Sequence, residues 1–519
     1  MAACLSYPVG VAKLSLRQPI FDDNRKAWGQ VLERFNNALE QVCSEGTSAS
    51  QQRHQSRGQL LARDRVALLL DHDSPFMELA QFAGFGLDSS PCASLVAVLK
   101  HNRVTEIATE NGLPIIGLVQ AAGAYLPQQF RVFHRAGQMF RDLARRSAAG
   151  QFSCSVVFGS STAGGAYLPG ISDYTILVQN QAQVFLGGPP LVKMATGEVI
   201  DAETLGGAKM HSTVTGLADQ IAVDEFDAIR KAREWVKSIQ VPFQLARRPM
   251  GEPLAPRYPM DDLLSLVNPD IRKPFDMTEV VLRLVDDSRI ALFKPAYGRN
   301  LLTTWAEIHG HPIGIIGNQT PVIRADEACK GAQFIRLCNQ RCIPIIYLHN
   351  VTGFMVGSDA ERQGIIKKGA QFVAAVSCSK VPQISVILGS SYGAGNYAMC
   401  GRAYQPRFLF TWPSSRCSVM GPDQLAGVME IVQSGSRARQ NNANKSDAAA
   451  AVPKEPSNSR EKQREMVERE SESYYTSANL LDDGIIDPRD TRDILGMCLD
   501  VVTISPVKGA ESHQGLARL

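Results

Sequence analysis

Short uninterrupted apolar runs alternate along this chain with stretches of helical spacing. Leu113 to Ile116, Ser155 to Phe158, Ile343 to Ile346 and Ile384 to Leu388 are runs of the kind found in strands covered on both faces. Ile365 to Ser377 carries its apolar residues at the 3.6-residue period instead, which predicts a helix. The order is a run, a Gly-containing turn, a helix, a second run, a Gly-rich turn and another helix. That βαβα order predicts an α/β layered domain. Pro114 and Pro344 each introduce a first strand, a position where proline is tolerated.

The pattern occurs twice, at an offset of 230. Leu113-Pro114-Ile115-Ile116 recurs as Ile343-Pro344-Ile345-Ile346, and Gly123 recurs as Gly353. Ser155-Val156-Val157-Phe158-Gly159-Ser160-Ser161 falls on Ser385-Val386-Ile387-Leu388-Gly389-Ser390-Ser391, and Ala163-Gly164-Gly165-Ala166-Tyr167 on Gly393-Ala394-Gly395-Asn396-Tyr397. A gap-free register of this length predicts two homologous domains. Six prolines between Arg247 and Lys273 and just beyond it (249, 253, 256, 259, 269, 274) mark the joint, giving expected domains at 21–260 and 261–508. Residues 433–473 are Gln-, Asn- and Ser-rich, with an alanine run and then alternating charge. They read as an exposed low-complexity insertion, partly a solvated helix, with structure resuming at Tyr474.

Composition adds exclusions. The 519 residues are 44% hydrophobic and 20% charged, so the chain is neither disordered nor fibrous. A net charge of +3 without a long basic run does not suggest a nucleic-acid partner. Eleven cysteines without a CxxC pair indicate neither a disulfide framework nor a metal site, and reduced thiols fit an intracellular compartment. No apolar stretch approaches the ~20 residues that span a bilayer, so no membrane crossing is expected.

The Gly-rich turns carry the candidate chemistry. A strand ending in Gly-Ser-Ser, followed by Ala and Gly opening a helix, presents bare backbone N–H groups that stabilise a negative oxygen. Phosphate cradles use GxGxxG or GxxxxGK[ST], and neither occurs at 158–167 or 388–397, so an oxyanion hole is the favoured reading. Close helix-strand packing is the structural alternative. Each domain has a second Gly-bearing turn, Gly123-Ala124 and Gly353-Phe354, which layered topology brings to the same sheet edge. Two oxyanion holes suit a reaction in which two carbonyl-type oxygens gain charge, such as carboxylation of an acyl group by a carboxylated urea.

At these residues the chain resembles the carboxyltransferase β subunits of biotin-dependent acyl-CoA carboxylases, which consist of two tandem crotonase-like domains. The likeness runs from about Phe21 to Pro506. It includes Gly159 to Tyr167, Gly188-Pro189-Pro190-Leu191-Val192-Lys193, Leu205-Gly206-Gly207-Ala208, Thr352-Gly353-Phe354-Met355-Val356-Gly357, Gly393 to Tyr397 and Gly401-Arg402-Ala403-Tyr404. The Gly-Pro-Pro-Leu-Val-Lys and Gly-Ala-Gly-Asn-Tyr versions are similar to the methylcrotonyl-CoA and geranyl-CoA branch. The resemblance implies that Gly164 and Gly165 serve a CoA thioester oxygen, with Gly123, Ala124, Ala163, Ala166 and Lys193 around the acyl-CoA. It implies that Ala394 and Gly395 serve the ureido oxygen of carboxybiotin, with Gly353, Phe354, Gly393, Asn396 and Tyr397 nearby. It further implies a separate α subunit that carries biotin and uses ATP and bicarbonate, and β subunits paired and stacked into a hexamer. Two rivals remain open: a non-catalytic paralogue that assembles with an active β subunit, and a crotonase-type hydratase or isomerase acting without biotin.

The first copy departs from the family pattern. Ser288 and Ile343 are 55 positions apart, whereas Ser74 and Leu113 are only 39 apart. The stretch around 82–112 has no counterpart of the apolar run His311 to Asn318, so the resemblance implies a first domain short of early core strands and part of the CoA pocket. Gln120-Ala121-Ala122 stands where the family usually has Asp-Ser-Gly. His54, Arg57 and His349 read as packed or interface residues rather than bases, and Cys154, Cys378 and Cys400 as small core residues. The acid-free first 21 residues resemble an organelle presequence, and the family implies a mitochondrial matrix. Ala517-Arg518-Leu519 resembles a peroxisomal address as the alternative.

Overall fold

The computed structural model describes residues 7–87 apart from 15 and 17, then 93–121, 123, 129–239, 253–425, 427–428 and 457–509. Two compact units emerge. One comprises residues 38–79 and 86–244; the other comprises residues 1–37, 80–85 and 245–519.

In the first unit, β1 (Ile115–Ala121), β2 (Ser153–Thr162), β3 (Tyr174–Val178) and β5 (Gln220–Ala222) lie side by side in that order, and β4 (Gln183–Phe185) pairs with the end of β2. Every pairing is parallel. Both faces are covered. On one, Val156, Phe158, Ile176 and Val178 meet Ile229, Ala232 and Trp235 of the Glu225–Ser238 helix. On the other, Val157, Leu177 and Val184 pack with Ala166 and Ala208. Burial of each such aliphatic side chain contributes about 1.5–3 kcal/mol, enough collectively to hold strands that lack any polar alternation.

The second unit has a larger sheet. Here β6 (Ala291–Leu292), β7 (Leu301–Ile308), β8 (His311–Asn318), β10 (Ile345–Val351), β12 (Gln383–Tyr392) and β13 (Phe408–Thr411) run in the order β13-β12-β10-β8-β7-β6. A short strand β14 (Arg416–Ser418) pairs with the end of β12, and β9 (Val322–Ile323) pairs with β11 (Gly353–Phe354). Phe334, Ile335 and Cys338 of the Ala325–Arg341 helix and Phe372 and Val376 of the Ile365–Ser377 helix pack against Ile345, Tyr347 and Val351. The predicted helix at 365–377 is present with those bounds.

The repeat is visible atom by atom. β1 pairs with β2 from Ile115↔Ser153, breaks register between Val119 and Ala121, and resumes at Ala121↔Ser161. β10 pairs with β12 from Ile345↔Gln383, breaks between His349 and Val351, and resumes at Val351↔Ser391. Every one of these positions differs by 230. Even the bulge is duplicated, and it puts Gln120 and Asn350 at equivalent places.

The copies differ on one side. β10 is fully buried because β8 pairs with its far edge, and the antiparallel hairpin β7–β8 extends the sheet. β1 ends its sheet among the described residues, and only Val119 of its seven residues is buried. Equivalents of β6, β7 and β8 are absent from the described residues before β1.

The helix Pro19–Cys43 starts in the second unit. Phe21, Trp28, Leu32 and Phe35 are buried on one stripe, Trp28 donates its indole N–H to the Val267 carbonyl at 2.6 Å, and it meets Trp412 edge-on. The tail of the expected insertion holds the anticipated solvated helix. A helix already spans Ser457–Ser471, with Val467 turned inward, and Glu472 pairs with Arg34 and Arg416. Its alternating charges lie on the solvated faces, so composition hid the two buried positions, Val467 and Ser471. Residues 431–456 lie outside the described residues, as do Ala517 to Leu519.

Candidate active site

Both Gly-rich turns sit at the C-terminal ends of the central strands, where α/β sheets place their ligand sites. In the first unit β2 runs into a single 3₁₀ turn, Ala163–Ala166, followed by a short helix Tyr167–Ile171. In the second, β12 runs into the helix Gly393–Ala398. Ala163 and Gly393 share the same left-handed backbone, with φ of 54° and 53°. The alanine pays about 1 kcal/mol for it, which the copy with glycine avoids. Ala163 and Gly164 are exposed, Gly165 is half-buried and Ala166 is buried; Ala394 is exposed, Gly395 buried and Asn396 half-buried. The first N–H groups of such turns have no acceptor within the turn, which leaves them available to an acceptor from outside it.

The glycines before the turns answer a different need. A Cβ on Gly389 would stand 2.6 Å from Oδ1 of Asn350, and one on Gly159 would stand 2.9 Å from Nε2 of Gln120. The bulge therefore aims an amide across each strand end, and glycine makes room. Gln120 is held in turn by Arg65, whose Nη1 donates to its Oε1 at 2.9 Å. Arg65 is anchored by a buried fork to Glu225, at 2.7 and 2.8 Å, and lies over the Phe158 ring. On the other side Asn318, at the end of β8, accepts the Asn350 N–H at 3.1 Å.

The second Gly-bearing turn is pinned in the second unit. Gly353, at φ 144°, and Phe354 pair with Val322 and Ile323 of β9, and Thr352 N–H donates to the Pro321 carbonyl at 2.6 Å. Gly395 fits directly against it: a Cβ there would be 3.1 Å from Gly353 Cα. The two turns expected to share one oxygen are thus in contact. In the first unit Gly123 has φ 110°, and Ala124 lies outside the described residues.

A cavity of about 780 Å³ opens beside the second pair of turns. Thr352, Ser390 and Tyr392, which lead into the two turns, line it together with Arg416, Gln424 and Arg464. The sequence reading did not single out these six. Ser390 lies inside the repeated motif, a signal that was available. Arg416 and Arg464 are lone basic residues whose place depends on β14 and the Ser457–Ser471 helix. Tyr397 packs against Tyr404 and Tyr167 against Phe140, with ring centres 5.5 Å apart in each pair. Lys193 is exposed on the Pro189–Thr196 helix.

His349 is fully buried, and burial pushes its imidazole down to about 3, so it is neutral and shut off from solvent. That agrees with a packed histidine and not a base. His54 makes a structural contact, its Nε2 3.0 Å from the Leu60 carbonyl. Cys154 and Cys400 are buried as expected, but Cys378 is exposed where it caps the Ile365–Ser377 helix. An apolar flank in sequence does not say which side of a helix end faces water. Among the described residues no cluster of metal-ligating side chains occurs, and no helix is long and apolar enough to cross a membrane.

Paired parallel strands, each ending in a backbone-lined turn and duplicated within one chain, define a tandem carboxyltransferase fold. The chain belongs to the carboxyl transferase domain family, which it matches over residues 89–515, and is a carboxyltransferase β subunit of the biotin-dependent acyl-CoA carboxylase class. It is 43% identical to a probable biotin-dependent acyl-coenzyme A carboxylase beta2 subunit of Mycobacterium tuberculosis, covering 97% of this chain and 100% of that one. It is 41% identical to a probable mitochondrial methylcrotonoyl-CoA carboxylase beta chain of Drosophila melanogaster, covering 96% and 93%. Among solved structures, the β subunit of geranyl-CoA carboxylase from P. aeruginosa superposes with a TM-score of 0.85 at 36% identity, over 98% of this chain and 100% of that one. The mycobacterial alignment runs over 545 positions, more than the 519 residues here, so the relative has residues that this chain lacks.

Proposed function

We propose that this β subunit transfers the carboxyl group of carboxybiotin to a branched enoyl-CoA of the 3-methylcrotonyl-CoA type. The observation that carries the reading is the pair of abutting turns, Gly353 against Gly395, beside a cavity in the second unit. Backbone N–H groups of Ala394 and Gly395 stabilise charge on the ureido oxygen, and those of Gly164 and Gly165 do the same for the thioester oxygen. The cavity and its polar lining fit a bicyclic urea with a valeryl chain, and biotin supplies the carboxyl group when it enters on its carrier. Gly353, Phe354, Gly393, Asn396 and Tyr397 shape that side. Gly123, Ala124, Ala163 and Ala166 shape the acyl side, and exposed Lys193 meets a CoA phosphate. A separate α subunit carries the biotin and consumes ATP and bicarbonate, and the β subunits form an oligomer. The mitochondrial matrix is the proposed compartment, supported by the mitochondrial name of the insect relative. Nothing comparable supports the peroxisomal alternative.

The test is reconstitution with the biotinylated partner. Bicarbonate- and acyl-CoA-dependent ATP turnover is expected to be highest with 3-methylcrotonyl-CoA and lower with propionyl-CoA; equal rates would refute the substrate class. The edge of β1, which has no pairing strand among the described residues, favours a second reading, in which the shortened first domain does not bind acyl-CoA and the chain assembles with an active β subunit. It predicts no turnover when this chain is the sole β subunit combined with the biotinylated partner, together with co-purification of a second β subunit.

A further inference from the structure

The serine that closes each central strand is duplicated by the repeat, but the copies use it differently. In the first unit Ser161 donates its hydroxyl to the Gly165 carbonyl of its own turn, at 2.9 Å. In the second unit Ser391, fully buried, is the middle of a side-chain chain. Its Oγ accepts from Asn396 Nδ2 at 2.8 Å and lies 2.9 Å from His349 Nδ1. The positions matching His349 and Asn396 in the first unit, 230 residues earlier, are Val119 and Ala166, so no such chain can form there.

The Asn396 amide donates to Ser391 Oγ, and the hydroxyl keeps one hydrogen and a second lone pair, so it pairs with His349 Nδ1 in either tautomer of the neutral ring. Burial keeps the ring neutral. Nε2 is buried without a hydrogen bond, although the Met399 carbonyl is close enough to raise the basicity of the ring. Enclosing an imidazole in the core carries a desolvation cost that leucine would not, so packing alone does not call for histidine here. Asn396 is also fixed from its other end. Gly401 N–H donates to its carbonyl at 2.9 Å, and a Cβ on Gly401 would fall 1.8 Å from its Oδ1.

We infer that His349 is a positioning residue for carboxyl transfer: through Ser391 and Asn396 it holds the Gly393–Asn396 turn at the spacing from Gly353 that the carboxybiotin side needs. The inference rests on the assignment of that turn to the ureido oxygen. It explains why a neutral histidine, unable to act as a base, stands next to the bulge beside the turn. The first unit does without it because its own serine braces the turn directly.

Two substitutions separate positioning from packing, measured in the complex with the biotinylated subunit. His349→Leu fills the space but accepts nothing from Ser391. His349→Asn leaves a void but keeps an acceptor at the δ position. For positioning, His349→Leu lowers kcat about 10- to 100-fold, the cost of misplacing a site by ~1 Å, with the KM for acyl-CoA unchanged, and His349→Asn retains most of kcat. Amide hydrogen exchange of the segment 392–398 accelerates in His349→Leu and not in His349→Asn. A packing role gives the reverse order: His349→Leu as active and protected as the parent, His349→Asn impaired. That order would overturn the inference. A parent complex without any transfer activity would instead sink the functional reading, and the exchange pattern then decides the structural claim alone.

Discussion

The two oxyanion turns differ in how tightly glycine is required, and that asymmetry is testable. A Cβ placed on Gly395 stands 2.6 Å from Cγ2 of Val351, with the backbone of Gly353 at 3.1 and 3.2 Å. Carbon atoms pack best at about 3.5–4.0 Å, so Gly395→Ala must part the turn from the strand end by roughly 1 Å. A Cβ on Gly165 stands 3.5 Å from Cβ of Ala121 and 3.5 Å from Ser161 Oγ, which is ordinary contact. Gly165→Ala therefore fits without movement. Misaligning an oxyanion donor costs about 10²–10³ in kcat, or roughly 3–4 kcal/mol. The overpacking itself costs about 1–3 kcal/mol of stability. The expected outcome is loss of acyl-CoA-dependent ATP turnover in Gly395→Ala at physiological temperature, and turnover within a fewfold of the parent in Gly165→Ala. Thermal melting of both variants shows whether the first remains folded. A Gly395→Ala enzyme with parental kcat, or equal loss in both variants, would refute the reasoning.

Two further outcomes follow from buried charge. The Asp482 carboxyl is pushed up to about 7 by burial. Its Oδ2 lies 3.0 Å from Thr476 Oγ1, which in turn reaches the Ser473 carbonyl, so a protonated carboxyl completes a chain of donors. Because the folded value is above the ordinary one of 3.8, the protonated form favours folding, and stability falls as pH rises from about 4 to about 7. The penalty reaches on the order of 4 kcal/mol above that window. Asp482→Asn mimics the neutral form, so its melting temperature should exceed the parent's at pH 8 and converge on it toward pH 4.5; a constant difference across pH would refute the assignment. In the first unit Arg65 and Glu225 are both almost inaccessible, at 5% and 2% exposure. Glu225→Gln leaves the guanidinium without its counter-charge and should cost roughly 3 kcal/mol. Proteolysis should then cut within 38–244 at lower urea than in the parent while the second unit keeps its resistance; unchanged resistance of both would argue against it.

Much of this architecture was legible before any coordinates. The 230-residue offset carried the repeated strand-turn-helix plan and the equivalence of the turns, because a strand buried on both faces writes itself as an apolar run and a strand-to-helix turn writes itself in glycine. Periodicity also located the 365–377 helix, since its buried face is broad. The duplicated bulge was not legible: a register break depends on which strand lies alongside, and Gln120 and Asn350 look like ordinary strand residues. The polar lining of the cavity was equally hidden, because Arg416 and Arg464 are brought there by elements distant in sequence. The solvated helix at 457–471 was anticipated, but the inward turn of Val467 and Ser471 was not, as two such positions among charges give almost no signal.

What the amino-acid order determined by itself is the repeated strand-turn-helix plan and the residue types that leave backbone N–H groups bare, because these follow from local sterics and from the period of burial. What only the tertiary structure decided is the inequality of the two copies. β10 is enclosed by β8 while β1 ends its sheet among the described residues, and Ser391 is tied to His349 and Asn396 while Ser161 braces its own turn. Those differences arise from which neighbour stands across each strand, a relation that no linear pattern contains.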